Sequence, residues 1–325
     1  MHSYRLPVKL FLLLSLAALI LFPSVSSKFY LQLFSKIMIL AILAMSLDLL
    51  AGFTGLISLG HAAFFGLGAY TLLLMSPEYA AASLWLSLPA AMTVAALAAL
   101  VIGVLVLRSS GVYFIMVTLA FGQMFFYYVT GARRFGGSDG AYIYFKPDAT
   151  LAGWAPIQLS NNLHFYYFVL ALMVAVYLLL RIVIDSPFGH VICGIRVNEN
   201  RMRSLGFPTF RYKLVAFMIA GALAGLAGYL DAAQYGFVSP ELFGWRESGI
   251  VLMMVILGGM GTLYGPILGA FALALLQEFF ADHTKHWLLP MGLFIILAVL
   301  VLPRGISGVL ERLVVWGWNL GARRA

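Results

Sequence analysis

Arg196, Asn198, Glu199, Asn200, Arg203 and Gly206 have the types and spacing of a charged docking surface. Glu199 stands four residues before Arg203, the favourable order for an ion pair along a helix, and Arg196, Asn200 and Arg203 make one stripe. Guanidinium and carboxylate groups of this kind form charge-assisted hydrogen bonds, a strong class of contact with a partner in water. The bland alternative is a solvated loop whose arginines only fix topology. A second polar set, Asp48, His61, Gln123, Gln277 and Glu278, lies in or near apolar runs. An aspartate at the centre of a spanning helix costs about 2.5–3.5 kcal/mol on insertion scales, so it needs a partner, water or a task. Asp48 sits near one end of its run, where it could reach water. His61 either lines a pathway or bonds a neighbouring helix, and Gln123 reads first as an interhelical hydrogen bond. With no second His or carboxylate three or four residues from His61, no metal site is expected. Neither H-E-x-x-H nor G-x-S-x-G falls inside an apolar run, so no catalytic residues are expected. None of the six lysines follows a glycine, which excludes a G-x-x-x-x-G-K-[ST] phosphate loop.

The elements that must hold these residues are mostly apolar. Of 325 residues, 63% are hydrophobic and 10% charged, against roughly 25% charged in a soluble domain. A bilayer-spanning helix takes about 20 apolar residues. Spans are expected near 6–22, 32–50, 57–75, 84–107, 112–130, 164–184, 213–233, 247–257, 266–281 and 287–303. The first run, basic at its start and followed by SVSS, has a cleaved signal peptide as its alternative reading. The fold class is therefore an all-α polytopic membrane protein, one domain over 1–325, with about ten spans. Two stretches stay in water, an external loop at 131–163 and a polar segment at 185–212. Within the polar segment, Val191, Ile195, Met202 and Leu205 share a face with Asn198, which predicts one short amphipathic helix over 190–206. Pro187 and Gly189 open it, and Gly206 and Pro208 close it. With both termini inside, 13 of the 20 basic residues, from Arg5 and Lys9 to Arg312, Arg323 and Arg324, fall on the cytoplasmic side with the polar segment. The net charge of +8 is explained by these flanking charges, and nucleic acid is not expected as a partner. Cys193 is the only cysteine, so no intrachain disulfide forms.

Two apolar runs are broken by glycine. Gly52, Gly55 and Gly60 interrupt one, and Gly258, Gly259, Gly261, Gly265 with Pro266 interrupt another. Unwound backbone at membrane depth is tolerated only against protein or beside a cavity, so paired breaks point to a transport pathway. Gly55, Ser58, His61, Gln123, Gly259, Gly261 and Thr262 are the candidate pathway residues. A helix restarting near Ser58 or Thr262 would offer its first N–H groups to a carboxylate. Tight turns or close helix packing are the alternative. Gly221, Gly225 and Gly228 have the spacing of a helix-packing face, with a partner permease as one occupant. In the external loop, Tyr142, Tyr144, Phe145 and Trp154 suit either a docked solute-binding protein or the headgroup level, and Asp139 a turn.

The run FGHVICGIRVNENRMRSLGFPTFRYKLVAFMIAGALAGLAGYL resembles the coupling-loop region of LivM-type permease subunits of bacterial ABC importers for branched-chain amino acids. It shares Ile195, Arg196, Asn198, Glu199, Leu205, Gly206, Lys213, Leu214, Ala224, Gly225 and Gly228 with the family pattern. It departs at Gly194, Val197 and Ser204, where Ala, an acid and Ala are usual. Blocks at 52–70, 111–123 with 136–140, and 257–270 agree in order, so the resemblance covers about residues 37 to 304. It implies an inner-membrane permease with a second homologous permease, two cytoplasmic ATPase subunits and a solute-binding protein as partners. ATP and magnesium would sit on the ATPases, none in this chain, and Arg196 to Gly206 would be the coupling helix that they move. An ion-coupled secondary transporter, or an ABC permease for urea or short amides, is the alternative.

Overall fold

Long apolar runs without charges become helices because backbone polar groups in lipid must be satisfied internally. The computed structural model describes residues 6–24, 27–77, 79–150 and 158–311. Its helices are α1 (Leu6–Leu21), α2 (Lys28–Asp48), α3 (Ala62–Met75), α4 (Leu84–Val106), α5 (Val112–Gly131), α6 (Asn162–Asp185), α7 (Pro187–Val197), α8 (Glu199–Ser204), α9 (Thr209–Tyr235), α10 (Trp245–Gly258), α11 (Gly265–His283) and α12 (Leu288–Val301). Arg5, Trp154, Arg312, Arg323 and Arg324 lie outside the described residues.

Helices form where all ten spans were expected, but not all are long enough to cross. Six among the described residues have spanning length and hydropathy: Lys28–Thr54, α4, α5, α6, α9 and α11. A seventh appears if α12 and the piece Gly305–Glu311, bent by 48° at their junction, count as one span. The helices α3 and α10 have 14 residues each, about 21 Å at 1.5 Å per residue, against a hydrocarbon core of about 30 Å. Both abut a glycine break, and the shortfall is the length that unwinding removes.

Around one axis the rest of the bundle assembles. Nearly every residue of α2 from Ile37 to Asp48 is buried, as a helix apolar on all sides must be, and α6, α9, α10 and α11 pack round it. Next to it, α9 lies against α3 and α4. A Cβ added at Gly221 or Gly225 would stand 2.6 Å and 2.5 Å from the methyl groups of Ala99 and Ala95 on α4, and one at Gly228 would meet the Phe65 carbonyl of α3. That small-residue face is therefore consumed within the chain, where it lets helices approach closely, and is not left for a partner.

At the bundle end remote from the polar segment, β1 (Ala141–Tyr142) pairs antiparallel with β2 (Phe237–Val238), Ala141 opposite Val238. This ties the loop after α5 to the end of α9. Tyr142, Tyr144 and Phe145 are exposed there, and Asp139 accepts from Ser138 Oγ within a glycine turn.

Overpacking at a closed helix contact costs about 1–3 kcal/mol. Gly228→Val is expected to lower the thermal midpoint of the detergent-purified protein. Gly249→Ala, where an added Cβ meets nothing within 4 Å, is expected to leave it unchanged or raise it; thermal scanning of both variants is the check.

Candidate functional site

The first break begins as a widened turn. After Asp48 the backbone continues as a π-helical piece, Leu49–Thr54, in which the Thr54 hydroxyl donates to the Leu49 carbonyl at 2.8 Å. The Leu56 N–H reaches the Leu50 carbonyl at 2.8 Å, and Gly55, at φ 79°, ends the turn in the left-handed region. Residues 55–61 then pass through the bundle without helical bonding before α3 resumes. Ser58 is buried and accepts from the Gly60 N–H at 3.3 Å. His61 is buried too, with Nε2 2.8 Å from Ser46 Oγ on α2. The Ala62 N–H donates to Ser248 Oγ on α10 at 2.9 Å, while Ala63 and Phe64 donate to the Gly60 and His61 carbonyls. The first donors of α3 are thus taken inside the chain. The second break runs from Gly259 to Tyr264 between α10 and α11. Thr262 Oγ1 donates to the Gly259 carbonyl at 2.8 Å, and the Gly265 N–H to the Thr262 carbonyl at 2.6 Å.

The two breaks meet at one carboxylate. Asp48 is fully buried, so it does not reach water, and its Oδ1 accepts the Gly261 N–H at 2.8 Å. One turn on, Gly52 has no room for a Cβ, because the Asp48 carboxylate and the Gly261 nitrogen occupy that place. Asp48 Oδ2 has no hydrogen-bond partner among the described residues, an arrangement that costs about 1–3 kcal/mol. Arg196 comes to the same point from the polar segment. Its Nη1 donates to the Gly52 carbonyl, its stem crosses Gly55, and Nη1 stands 3.1 Å from where a Cβ on Gly261 would lie. One arginine therefore touches both breaks. Beside it opens a cavity of about 350 Å³ lined by Arg196, Gly259, Thr262, Arg304, Ser307 and Glu311, among others.

The polar segment is two helices, not the single one expected over 190–206. Ser186 accepts from the Gly189 N–H and Pro187 takes the first helical position, so α7 starts earlier. At Asn198 the backbone is extended, φ −159° and ψ 99°, and its Oδ1 accepts the Arg201 N–H at 3.0 Å to start α8. An asparagine that bonds its own backbone competes with helix propagation. The break divides the apolar stripe. Val191 and Ile195 are buried and Met202 packs on Gly194, but Leu205 is 64% exposed. Glu199 closes the fold of the segment. It accepts from Arg203 Nη2 at 2.8 Å, Thr209 Oγ1 at 3.0 Å and Lys213 Nζ at 2.9 Å. Arg203 Nε also donates to Thr209 Oγ1, at 3.1 Å. Asn200 and Gly206 face solvent, with Gly206 at φ 88° after α8.

A family model described as branched-chain amino acid transport system / permease component matches residues 29–302. The chain belongs to this family. It is 34% identical over 317 residues to the high-affinity branched-chain amino acid transport system permease protein LivM of Escherichia coli K12, covering 92% of this chain and 74% of that protein. The LivM protein of Salmonella typhimurium LT2 is 33% identical over the same shares. The autoinducer 2 import system permease protein LsrC of Photorhabdus laumondii is 27% identical over 182 residues, 54% of each chain. No solved structure matches the chain.

As a family member, the chain is a multi-pass membrane subunit of a transporter. Of its candidate pathway residues, Gly55, Gly259, Gly261 and Thr262 gather at the junction. His61 lies against Ser46 of α2, Ser58 is buried and bonded within its own break, and Gln123 stands apart on α5, half-buried and with no hydrogen bond to another helix among the described residues. Sequence reasoning missed Thr209 and Ser248 as hydrogen-bond partners, and it placed Asp48 at the water's edge. Gly52 four residues after a lone acid was the available signal for Asp48, since that spacing leaves space over the next turn.

Partial burial pushes the Glu199 carboxyl up, but the hydrogen bond and charge of Lys213, then Thr209 and Arg203, outweigh this and hold it below its ordinary 4.5. A carboxyl depressed on folding contributes stability that is present above its unfolded value and lost as pH falls through the folded one. Hydrogen exchange at residues 201–206 is expected to stay protected at neutral pH and to lose protection progressively as pH falls below the ordinary glutamate range. Glu199→Gln is expected to abolish that acid step.

Proposed function

We propose that this chain is the transmembrane permease subunit of an ATP-driven importer that carries branched-chain amino acids inward across a bacterial inner membrane. Membership of the family and the LivM relatives support the solute class. The mechanical reading is carried by one observation: Arg196, on a water-facing helix, is bonded to the first helix break and packed on the second. In this reading both termini and α7–α8 face the cytoplasm, where two ATPase subunits hold ATP and magnesium. A second, homologous permease completes the membrane part, and a solute-binding protein docks at the opposite end.

The polar segment then has two sides. Val197 and Leu205 are 86% and 64% exposed, apolar side chains on an otherwise charged surface, and with Asn200 and Gly206 they make the face for the ATPase. Arg196, Asn198, Glu199 and Arg203 hold that face in shape and join it to the membrane helices. The α7–α8 unit moves when the ATPases close, and the two breaks repack between outward-open and inward-open arrangements. Because the first N–H groups of α3 are occupied, the cargo carboxylate is received elsewhere than at that helix start.

Co-purification of the complex, reconstitution and measurement of which solute stimulates ATP hydrolysis test the assignment. Leucine, isoleucine or valine is expected to stimulate and urea or acetamide not. Reversal of charge in Arg196→Glu and truncation in Glu199→Ala are expected to cut the solute moved per ATP about tenfold or more, a usual size for coupling between sites. Normal uptake by both variants overturns the coupling role.

A further inference from the structure

Asp48 is a buried titratable group without a task in the transport reading. Its two oxygens are used unequally. Oδ1 holds the Gly261 N–H of the second break at 2.8 Å, whereas Oδ2 is buried and has no hydrogen-bond partner among the described residues. The residue stands at the end of α2, immediately before the widened turn of the first break. It is therefore part of one break and bonded to the other. Arg196 approaches the same point, yet it donates to the neutral carbonyl of Gly52 and forms no ion pair with Asp48. Asp48 and Gly52 are one helical turn apart, and the place of a Gly52 Cβ is filled by the Asp48 carboxylate itself. The acceptor that Arg196 uses and the Asp48 carboxylate thus both lie against Gly261.

Resting on the importer reading, we propose that Asp48 is the positioning residue that passes the movement of α7 to the second break. When α7 shifts, Arg196 exchanges the Gly52 carbonyl for Asp48 Oδ2. The carboxylate, still bonded to Gly261 through Oδ1, then ties both breaks and the coupling helix into one unit. The exchange gives the buried Oδ2 a donor and sets the guanidinium against an opposite charge, so it favours the shifted state. Discrete rearrangements of this size, rather than continuous bending, are how packed helices switch. Gly52 is required because any side chain there would separate Asp48 from Gly261.

The test uses the reconstituted full complex with ATP and leucine and reads leucine moved per ATP hydrolysed, a ratio that lower assembly or yield alone does not change. Asp48→Asn keeps an oxygen for the Gly261 N–H but turns an amide toward Arg196. It is expected to lower the ratio about tenfold or more, as is Arg196→Gln, and the double variant is expected to be no worse than the weaker single one, since paired residues are non-additive. Asp48→Asn with an unaltered ratio, or losses that multiply in the double variant, overturns the proposal. Should Asp48→Asn fail to assemble, spin labels at positions 197 and 260 in an otherwise unaltered, Cys193→Ser complex give the second measurement. Their separation is expected to change on trapping with ATP and vanadate, and an unchanged separation overturns the proposal. Uptake by the unaltered complex that ignores ATP removes the importer reading along with this one; ATP-driven uptake with an inert Asp48 removes this one alone.

Discussion

A carboxylate sealed from water by a packed bundle has to be answered by a fixed donor, and in this chain that donor comes from a stretch that is not helical. Asp48 draws on the Gly261 N–H, and Gly52 makes room for that bond by having no side chain. Unwound backbone at membrane depth survives only where protein satisfies it. The first break meets this condition through Ser58, Ser248 and the π-turn bonds, and the second through Thr262 and Asp48. The remaining architecture follows from this junction. Two helices are short because the chain unwinds beside it, and α2 is the buried axis because it carries the acid to it.

The polar segment gains its shape from the same economy of donors. Glu199 gathers Arg203, Thr209 and Lys213, so α8 is bound to the start of α9, while Arg196 binds the end of α7 to the first break. A load applied to the outer face is therefore transmitted rather than absorbed. Solvent-exposed arginines alone would not do this, because isolated surface ion pairs are worth little. Partial burial of Glu199 and near-complete burial of Lys213 make this pairing stiffer than a surface contact.

Rigidity elsewhere lets a local shift have a distant effect. The alanines of α4 lie against the glycines of α9, and the β1–β2 pairing fixes the remote end of α9. Close contacts between small residues leave little slack, and packed interiors transmit displacement instead of dissipating it. The breaks are then the places where the chain can rearrange, and the glycines there are what permits it.

Composition and apolar run length determined the class of this protein and where its helices lie, because lipid allows few alternatives to a helix. Glycine punctuation located both breaks, and the Glu199–Arg203 spacing was legible as an ion pair because helix geometry alone brings those positions together. Spans and half-spans were not separable in the sequence, since an apolar residue facing lipid and one packed beside unwound backbone read alike. The capping role of Asn198 was equally hidden, because a polar residue within a helical stripe signals a break only once its side chain finds the backbone. Tertiary structure alone decided that residues 48, 52, 196 and 261 share one site. Such contacts depend on how separate helices pack, and no periodicity within a single segment encodes them.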